Sequence, residues 1–240
     1  MTSTTTSPVT LITGGSSGIG AATARQLLDS GHRVVVTGRG EDRLRRFAAE
    51  VGEEGDEGER LLTFAGDAAD YATVRRAVDR TVETFGRLDT VVANAGFATH
   101  DTVADGDPEG WREMVLTNVL GPAVLIRAAL GALKETRGRI VLVGSVAGFV
   151  HTPGNLYGAT KWAVTGLAEN TRRMVTGDGV GVTLIAPGRV ETPFRDGLGG
   201  LPEGQLLTAH QVAESVVWAI KQPQGVDVNN VIIRPIGQPV

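Results

Sequence analysis

Val9-Thr-Leu-Ile-Thr13-Gly-Gly-Ser-Ser-Gly-Ile-Gly20 is the stretch that decides the fold of this 240-residue chain. A short β-branched run meets a cluster of glycine and serine, and a helical pattern follows from Ile19 to Asp29. That order reads as strand, tight turn and helix. Glycines let such a turn close, and the free N–H groups and positive dipole end of the helix suit a phosphate. The spacing of Gly14, Gly18 and Gly20 is G-x-x-x-G-x-G, not the commoner G-x-G-x-x-G. With 33 glycines in the chain, the cluster alone also reads as a turn that holds no ligand.

The alternation continues outward from this unit. Strand candidates are Val9–Thr13, Arg33–Thr37, Leu61–Ala65, Thr90–Ala93, Arg139–Val143, Val180–Ala186 and Asn230–Arg234. Helical patterns lie between them at Ile19–Asp29, Glu41–Glu50, Tyr71–Phe85, Glu109–Lys134, Leu156–Thr176 and Ala209–Lys221. Several strands are near-continuous Val, Ile and Leu, as in parallel strands covered on both faces. The expectation is an α/β fold, a doubly wound seven-stranded parallel sheet with helices on both faces. Pro122 falls inside the fourth helix and should bend it or loosen a turn. Gly52-Glu-Glu-Gly-Asp-Glu-Gly-Glu59 reads as a solvated connection. Neither a domain linker nor a solenoid repeat is visible, so residues 8–240 are expected to form one domain behind a disordered tail at 1–7.

Composition narrows the partners. Apolar residues make up 41% of the chain and charged residues 21%, an ordinary globular balance. A net charge of −4 argues against nucleic acid and against an anionic membrane. Cysteine is absent, which excludes disulfides and thiolate metal sites. The four histidines, His32, His100, His151 and His210, show no close ligand spacing, so no metal is expected. Met1–Ser7 lacks the basic and apolar regions of a signal peptide, and no run approaches the ~18 apolar residues of a membrane span. A soluble, cytoplasmic protein is expected.

Tyr157-Gly-Ala-Thr-Lys161 sets a phenol and an ammonium four residues apart, on one helix face with Cβ atoms about 5–6 Å from each other. The chain has only two tyrosines and three lysines among its 23 basic residues, so this pairing stands out. A fixed cation beside a phenol stabilises the phenolate and lowers its pKa. A surface i,i+4 pair is the other reading.

Taken together, Thr13-Gly14-x-x-x-Gly18-x-Gly20, Asn94-Ala95-Gly96, Asn118, Ser145, Tyr157-x-x-x-Lys161 and Pro187-Gly188 resemble the short-chain dehydrogenase/reductase family. The similarity runs from Val9 to the last strand, with the motifs in the family's order. It implies a Rossmann-like single domain that transfers a hydride between a nicotinamide and a carbonyl or alcohol carbon.

The resemblance implies a cofactor path through Gly14, Ser16, Ser17, Gly18, Ile19 and Gly20, then Asp67 and Ala68 at the adenine. Asn94, Ala95 and Gly96 would follow, then Pro187, Gly188, Val190 and Thr192 over the nicotinamide. Asn94 has a second reading, that of holding the central sheet together. In this family the residue ending the second strand sets NAD against NADP preference. Here Gly38 stands at the acidic position and Arg39 follows it. A guanidinium suits a phosphate monoester, so NADP, with NADPH preferred over NADH, is the expected cofactor. A solvated loop arginine is the alternative, and the glycine loop carries Ser17 where many NADP members have a base.

By the same resemblance Tyr157 is the general acid and base, and Lys161 tunes it and holds the nicotinamide ribose. Ser145 would polarise the carbonyl, and Asn118 would anchor a water in a proton relay. Phe97, Val146, Phe149, His151, Phe194 and Leu198 are the substrate candidates; Arg189 and Arg195 read either as solvated arginines or as groups that attract a carboxylate or phosphate. The glycine-rich stretch from Phe194 to Leu207 reads as a lid or as a plain loop. Asp227–Ile236 is similar to an NADP-linked branch acting on small 3-hydroxy acids. Family members commonly pair through the last strand and the two long helices, so a homotetramer or homodimer is expected. A 3-oxoacyl-[acyl-carrier-protein] reductase docking its carrier at Arg172-Arg173, and a non-catalytic NADP sensor, are the competing readings.

Overall fold

The structure, a computed structural model, describes residues 7–52, 60–192 and 204–239. The N-terminal tail at 1–6, most of the acidic connection, and Phe194, Arg195 and Leu198 lie outside the described residues.

Each βα unit places a strand in one parallel sheet. The strands are β1 (Val9–Thr13), β2 (Arg33–Gly38), β3 (Leu61–Ala65), β4 (Thr90–Ala93), β5 (Arg139–Val143), β6 (Gly181–Pro187) and β9 (Asn230–Ile233). Their order across the sheet is β3-β2-β1-β4-β5-β6-β9, all parallel. Strand order reverses between β1 and β4, so their outgoing loops diverge and open a crevice at the C-terminal edge. A short parallel pair, β7 (Val190–Glu191) with β8 (Leu207–Thr208), sits beyond β6.

The period-2 alternation of the strands feeds two cores. Val9 and Leu11 of β1 and Ile140 and Leu142 of β5 face one side, under helices α3 (Tyr71–Phe85), α5 (Gly121–Thr136) and α6 (Leu156–Val175). Ile12 of β1 and Val141 and Val143 of β5 face the other, under α1 (Gly18–Asp29), α2 (Glu41–Glu50) and α7 (Ala209–Ile220). Burial on both faces explains the apolar runs of these strands. Caps fix the helix starts. Asn155 accepts a 2.6 Å hydrogen bond from Gly158 N at the head of α6, which fixes Tyr157 in the first turn. Asp70 caps α3 in the same way, and Thr208 and Gln211 form a capping box on α7.

The fourth helical stretch departs from a single helix. It runs as α4 (Pro108–Val115), a π-helical turn (Leu116–Leu120) and α5. The cause is Pro122, which has no N–H to give the carbonyl of Asn118 four residues earlier. The backbone widens by one residue, and Gly121 N bonds Leu116 O instead. By length and hydropathy Pro108–Thr136 would cross a membrane, but half of its most apolar window is buried in the fold.

Gly20 marks a tight contact between the glycine turn and β4. A Cβ there would stand 2.5 Å from both Asn94 Nδ2 and the carbonyl oxygen of Gly14. Gly131 in α5 is exposed and has nothing within 4 Å. Urea denaturation should therefore separate the two. Gly20→Ala is expected to lose about 1–3 kcal/mol through overpacking, and Gly131→Ala to gain about 0.5–1 kcal/mol through helix propensity.

Candidate active site

The crevice is a cleft of about 650 Å³, within the usual size of ligand sites. Its floor is a weld between two strand ends. Asn94 Nδ2 donates to Thr13 O at 3.0 Å and to Gly14 O at 3.1 Å. Thr13 Oγ1 in turn accepts from the N–H groups of Asn94 and Ala95, both at 3.2 Å. The Asn94 side chain holds the strand ends together, and the residue also lines the cleft, so its two readings are compatible.

One wall is the turn and first residues of α1. Gly14, Ser16, Ser17, Gly18 and Ile19 line the cleft, whereas Gly20 lies buried beneath the turn. Thr37, Gly38 and Arg39 bound the far end, and Arg43 from the first turn of α2 joins them. Arg43 was not singled out in the sequence, although the pair Arg39-x-x-x-Arg43 straddling the start of α2 was there to be read. Asp67 and Ala68 line the same end, and Asp67 Oδ1 accepts from Ala69 N at 2.9 Å.

The opposite end gathers Tyr157, Lys161 and Ser145. Ser145 stands just beyond β5 and caps a 3₁₀ turn, accepting from Ala147 N at 3.1 Å. Its side chain hydrogen-bonds the Tyr157 hydroxyl. Lys161 is buried, donates to Val143 O at 3.0 Å, and lies 5.7 Å from the centroid of the Tyr157 ring. Burial pushes the Tyr157 phenol up to about 12, while the Ser145 hydrogen bond pulls it the other way. Burial also pushes Lys161 down to about 8. Loss of water is the larger influence on the phenol, and the Lys161 ammonium hydrogen-bonds the Val143 carbonyl.

Asn118 does not line the cleft but braces it from below. Its amide donates to Phe97 O at 2.9 Å and Thr160 Oγ1 at 3.1 Å, and its Oδ1 accepts from Phe97 N at 3.0 Å. Thr160 Oγ1 donates onward to Tyr157 O at 2.7 Å. The π-helical turn thus ties the loop after β4 to the turn carrying Tyr157. Gly96 leaves the necessary room, since a Cβ there would meet Asn118 Oδ1 at 3.0 Å and Lys161 Nζ at 3.8 Å.

Ala95, Gly96, Pro187, Gly188, Arg189, Val190 and Thr192 complete the lining. Thr192 closes the ring, its Cγ2 standing 3.5 Å from where a Cβ of Gly18 would be. Of the substrate candidates, Phe97 and Val146 face the cleft. Phe149 instead packs against the core cluster below the sheet. His151 stacks on Trp162 at 5.2 Å between ring centroids, outside the cleft. The 3₁₀ turn at Val146–Gly148 leads the chain away after Val146, which accounts for both. Thr117 and Gln238 also reach the lining and carried no motif signal. Among the described residues, no group of three or more His, Asp or Glu could hold a metal.

The family model for short chain dehydrogenases matches residues 8–199. An uncharacterized oxidoreductase of Staphylococcus epidermidis is 36% identical over 234 residues, covering 95% of this chain and 97% of that protein. Sulfoacetaldehyde reductase 2 of Chromohalobacter salexigens is 37% identical over 245 residues, covering 97% and 96%. Among solved structures, an alcohol dehydrogenase from Thermococcus sibiricus complexed with 5-hydroxy-NADP superposes with a TM-score of 0.88 at 31% identity, covering 97% and 98%. The closed form of a serine dehydrogenase with NADP+ gives 0.89 at 30% identity, covering 97% and 96%. This chain belongs to the short-chain dehydrogenase/reductase family of NAD(P)-dependent oxidoreductases.

Proposed function

We propose that residues 8–240 act as one domain, an NADP(H)-dependent reductase of a small to medium carbonyl compound, or dehydrogenase of the corresponding alcohol. The observation that carries this reading is the hydrogen-bonded Tyr157–Ser145 pair, with buried Lys161 over the phenol ring, at the mouth of the crevice.

The residues present fit a nicotinamide dinucleotide. The glycine turn offers the N-terminus of α1 to a pyrophosphate. Gly38 leaves the second strand without an acid to repel a 2′-phosphate, and Arg39 and Arg43 supply guanidinium donors there. The alcohol dehydrogenase and serine dehydrogenase described above are complexes with 5-hydroxy-NADP and NADP+, which supports this reading. When bound, the nicotinamide gives or takes the hydride. Ser145 donates a hydrogen bond to the substrate oxygen, and Tyr157 passes it a proton as negative charge builds there. An alkoxide is a far stronger base than a phenolate, so a phenol at about 12 still transfers its proton downhill. Lys161 stabilises the phenolate left behind. Asn118 holds Tyr157's turn in place, and its carbonyl, which Pro122 cannot serve, is the acceptor we assign to a relay water.

For the substrate we favour a short carbonyl compound bearing an anionic group. Arg189 lines the cleft beside Phe97 and Val146, and relatives are named for sulfoacetaldehyde and serine. A carrier-protein substrate has less support, because Arg172 is paired with Glu169 at 2.7 Å. A homotetramer or homodimer is the assembly we infer, supported by exposed Val115, Leu120 and Trp162 on α4, the π-helical turn and α6, and by exposed Trp218 on α7 and Ile232 on β9.

Three outcomes test this function. Tyr157→Phe should lower kcat by about 10²–10⁴-fold while the Kd for NADPH, measured by fluorescence, stays unchanged. Carbonyl reduction needs Tyr157 protonated and Lys161 charged, so a pH–rate profile should be level through neutrality and fall above about 8, where Lys161 loses its proton. Alcohol oxidation should instead rise with pH across the same range, since it needs the phenolate. Arg39→Ala should raise KM for NADPH by about 10–100-fold, the loss of a charge-assisted contact, and leave KM for NADH nearly unchanged. Equal effects on both cofactors would contradict the assignment.

A further inference from the structure

Beyond β9 the chain does not simply leave the fold. It turns through Pro235 and Gly237, with Gln238 N donating to Pro235 O at 3.1 Å and Gly237 at a φ of 91°. This turn brings Gln238 into the lining of the cleft, five residues past the last strand. There its Oε1 accepts a 2.8 Å hydrogen bond from the backbone N–H of Arg189. The preceding residue is tied to the same segment, since Gly188 N donates to Ile233 O at 2.7 Å. Two consecutive N–H groups after β6 are thus held by the C-terminal end of the chain, one by a strand carbonyl and one by a side chain.

Space enforces the arrangement. Gly188 has no left-handed φ, so its backbone would accept a side chain. A Cβ there would nonetheless stand 2.4 Å from Gln238 Oε1, 3.1 Å from its Cδ and 3.3 Å from Arg234 Cα. A side chain at 188 would therefore displace the Gln238 amide from this position and press on the backbone of Arg234. The segment so fixed runs on through Val190, paired with Leu207, to Thr192 against the glycine turn. Pro187, Gly188, Arg189, Val190 and Thr192 all line the cleft. Small displacements of groups that orient a reactant are costly in rate.

We propose that Gln238 is a positioning residue. Through the Arg189 N–H it sets the height of the 187–192 segment over the cleft, and with it the fit of the nicotinamide end. The inference rests on the cleft being the dinucleotide site. Two substitutions isolate the accepting oxygen. Gln238→Met keeps the volume and loses the acceptor; Gln238→Glu keeps both. Titrations repeated at about 1 M salt, where the Debye length is ~3 Å, separate the effect of its added charge from that of the acceptor. NADPH affinity is read by fluorescence titration, alongside kcat, KM and Tm for each protein. Gln238→Met should raise the Kd for NADPH by about 2–12-fold, the range for one hydrogen bond, and lower kcat, whereas Gln238→Glu should stay within about twofold of wild type. Gln238→Met indistinguishable from wild type in Kd and kcat would overturn the proposal. So would equal impairment of both variants, or a fall in Tm with no change in Kd. Failure of the wild-type protein to bind NADPH would instead overturn the reading of the cleft itself.

Discussion

Both amide hydrogens of Asn94 go to the carbonyls that close β1 and open the glycine turn, at 3.0 and 3.1 Å. Parallel strands whose connections depart in opposite directions tend to splay at their ends, and here that splay is the cleft. Without a bridge the turn would have unsatisfied carbonyls and no fixed distance from β4. Asn94 supplies the bridge, and Thr13 Oγ1 returns it by accepting from two successive N–H groups. Gly20 is small because this amide lies against it. The position of α1, the depth of the cleft and the approach to Gly96 all follow from that contact.

The far end of the cleft is governed by dehydration. Lys161 is buried and Tyr157 half-buried, and loss of water drives both toward their neutral forms, to about 12 for the phenol and about 8 for the ammonium. The site is thus poised with a protonated phenol and a lysine that is still mostly charged at neutral pH. That is the state carbonyl reduction requires. Ser145, bonded to the phenol and capping the turn after β5, fixes the oxygen to which a substrate would be presented.

Much of this was legible in the sequence, and the exceptions have causes. β1, β3, β4, β5, α2 and α3 begin and end where their patterns do: the β-branched apolar runs stop at glycine or polar neighbours, and Asp70 caps α3. Pro122 signalled trouble in the fourth helix, but a pattern at helical period cannot tell a bend from a one-residue widening. The proline only removes a donor; the neighbours decide how the backbone responds. Tyr157, Lys161 and Ser145 were readable because spacing on one element and position at a strand end survive folding. Arg43 and Gln238 reach the cleft through tertiary geometry, which no local pattern carries. Phe149 and His151 were drawn toward the cleft by nearness in sequence to Ser145, and a three-residue 3₁₀ turn sends them elsewhere.

Hydride transfer in this cleft is the central claim, and single-turnover mixing tests it directly. The protein loaded with NADPH is mixed with short carbonyl compounds bearing a carboxylate or sulfonate, and NADPH absorbance is followed. The experiment is repeated with NADPH deuterated at the transferring carbon. NADPH should decay with at least one such compound, and deuteration should slow the decay. NADPH that binds in the cleft but stays fully reduced with every carbonyl compound would contradict it.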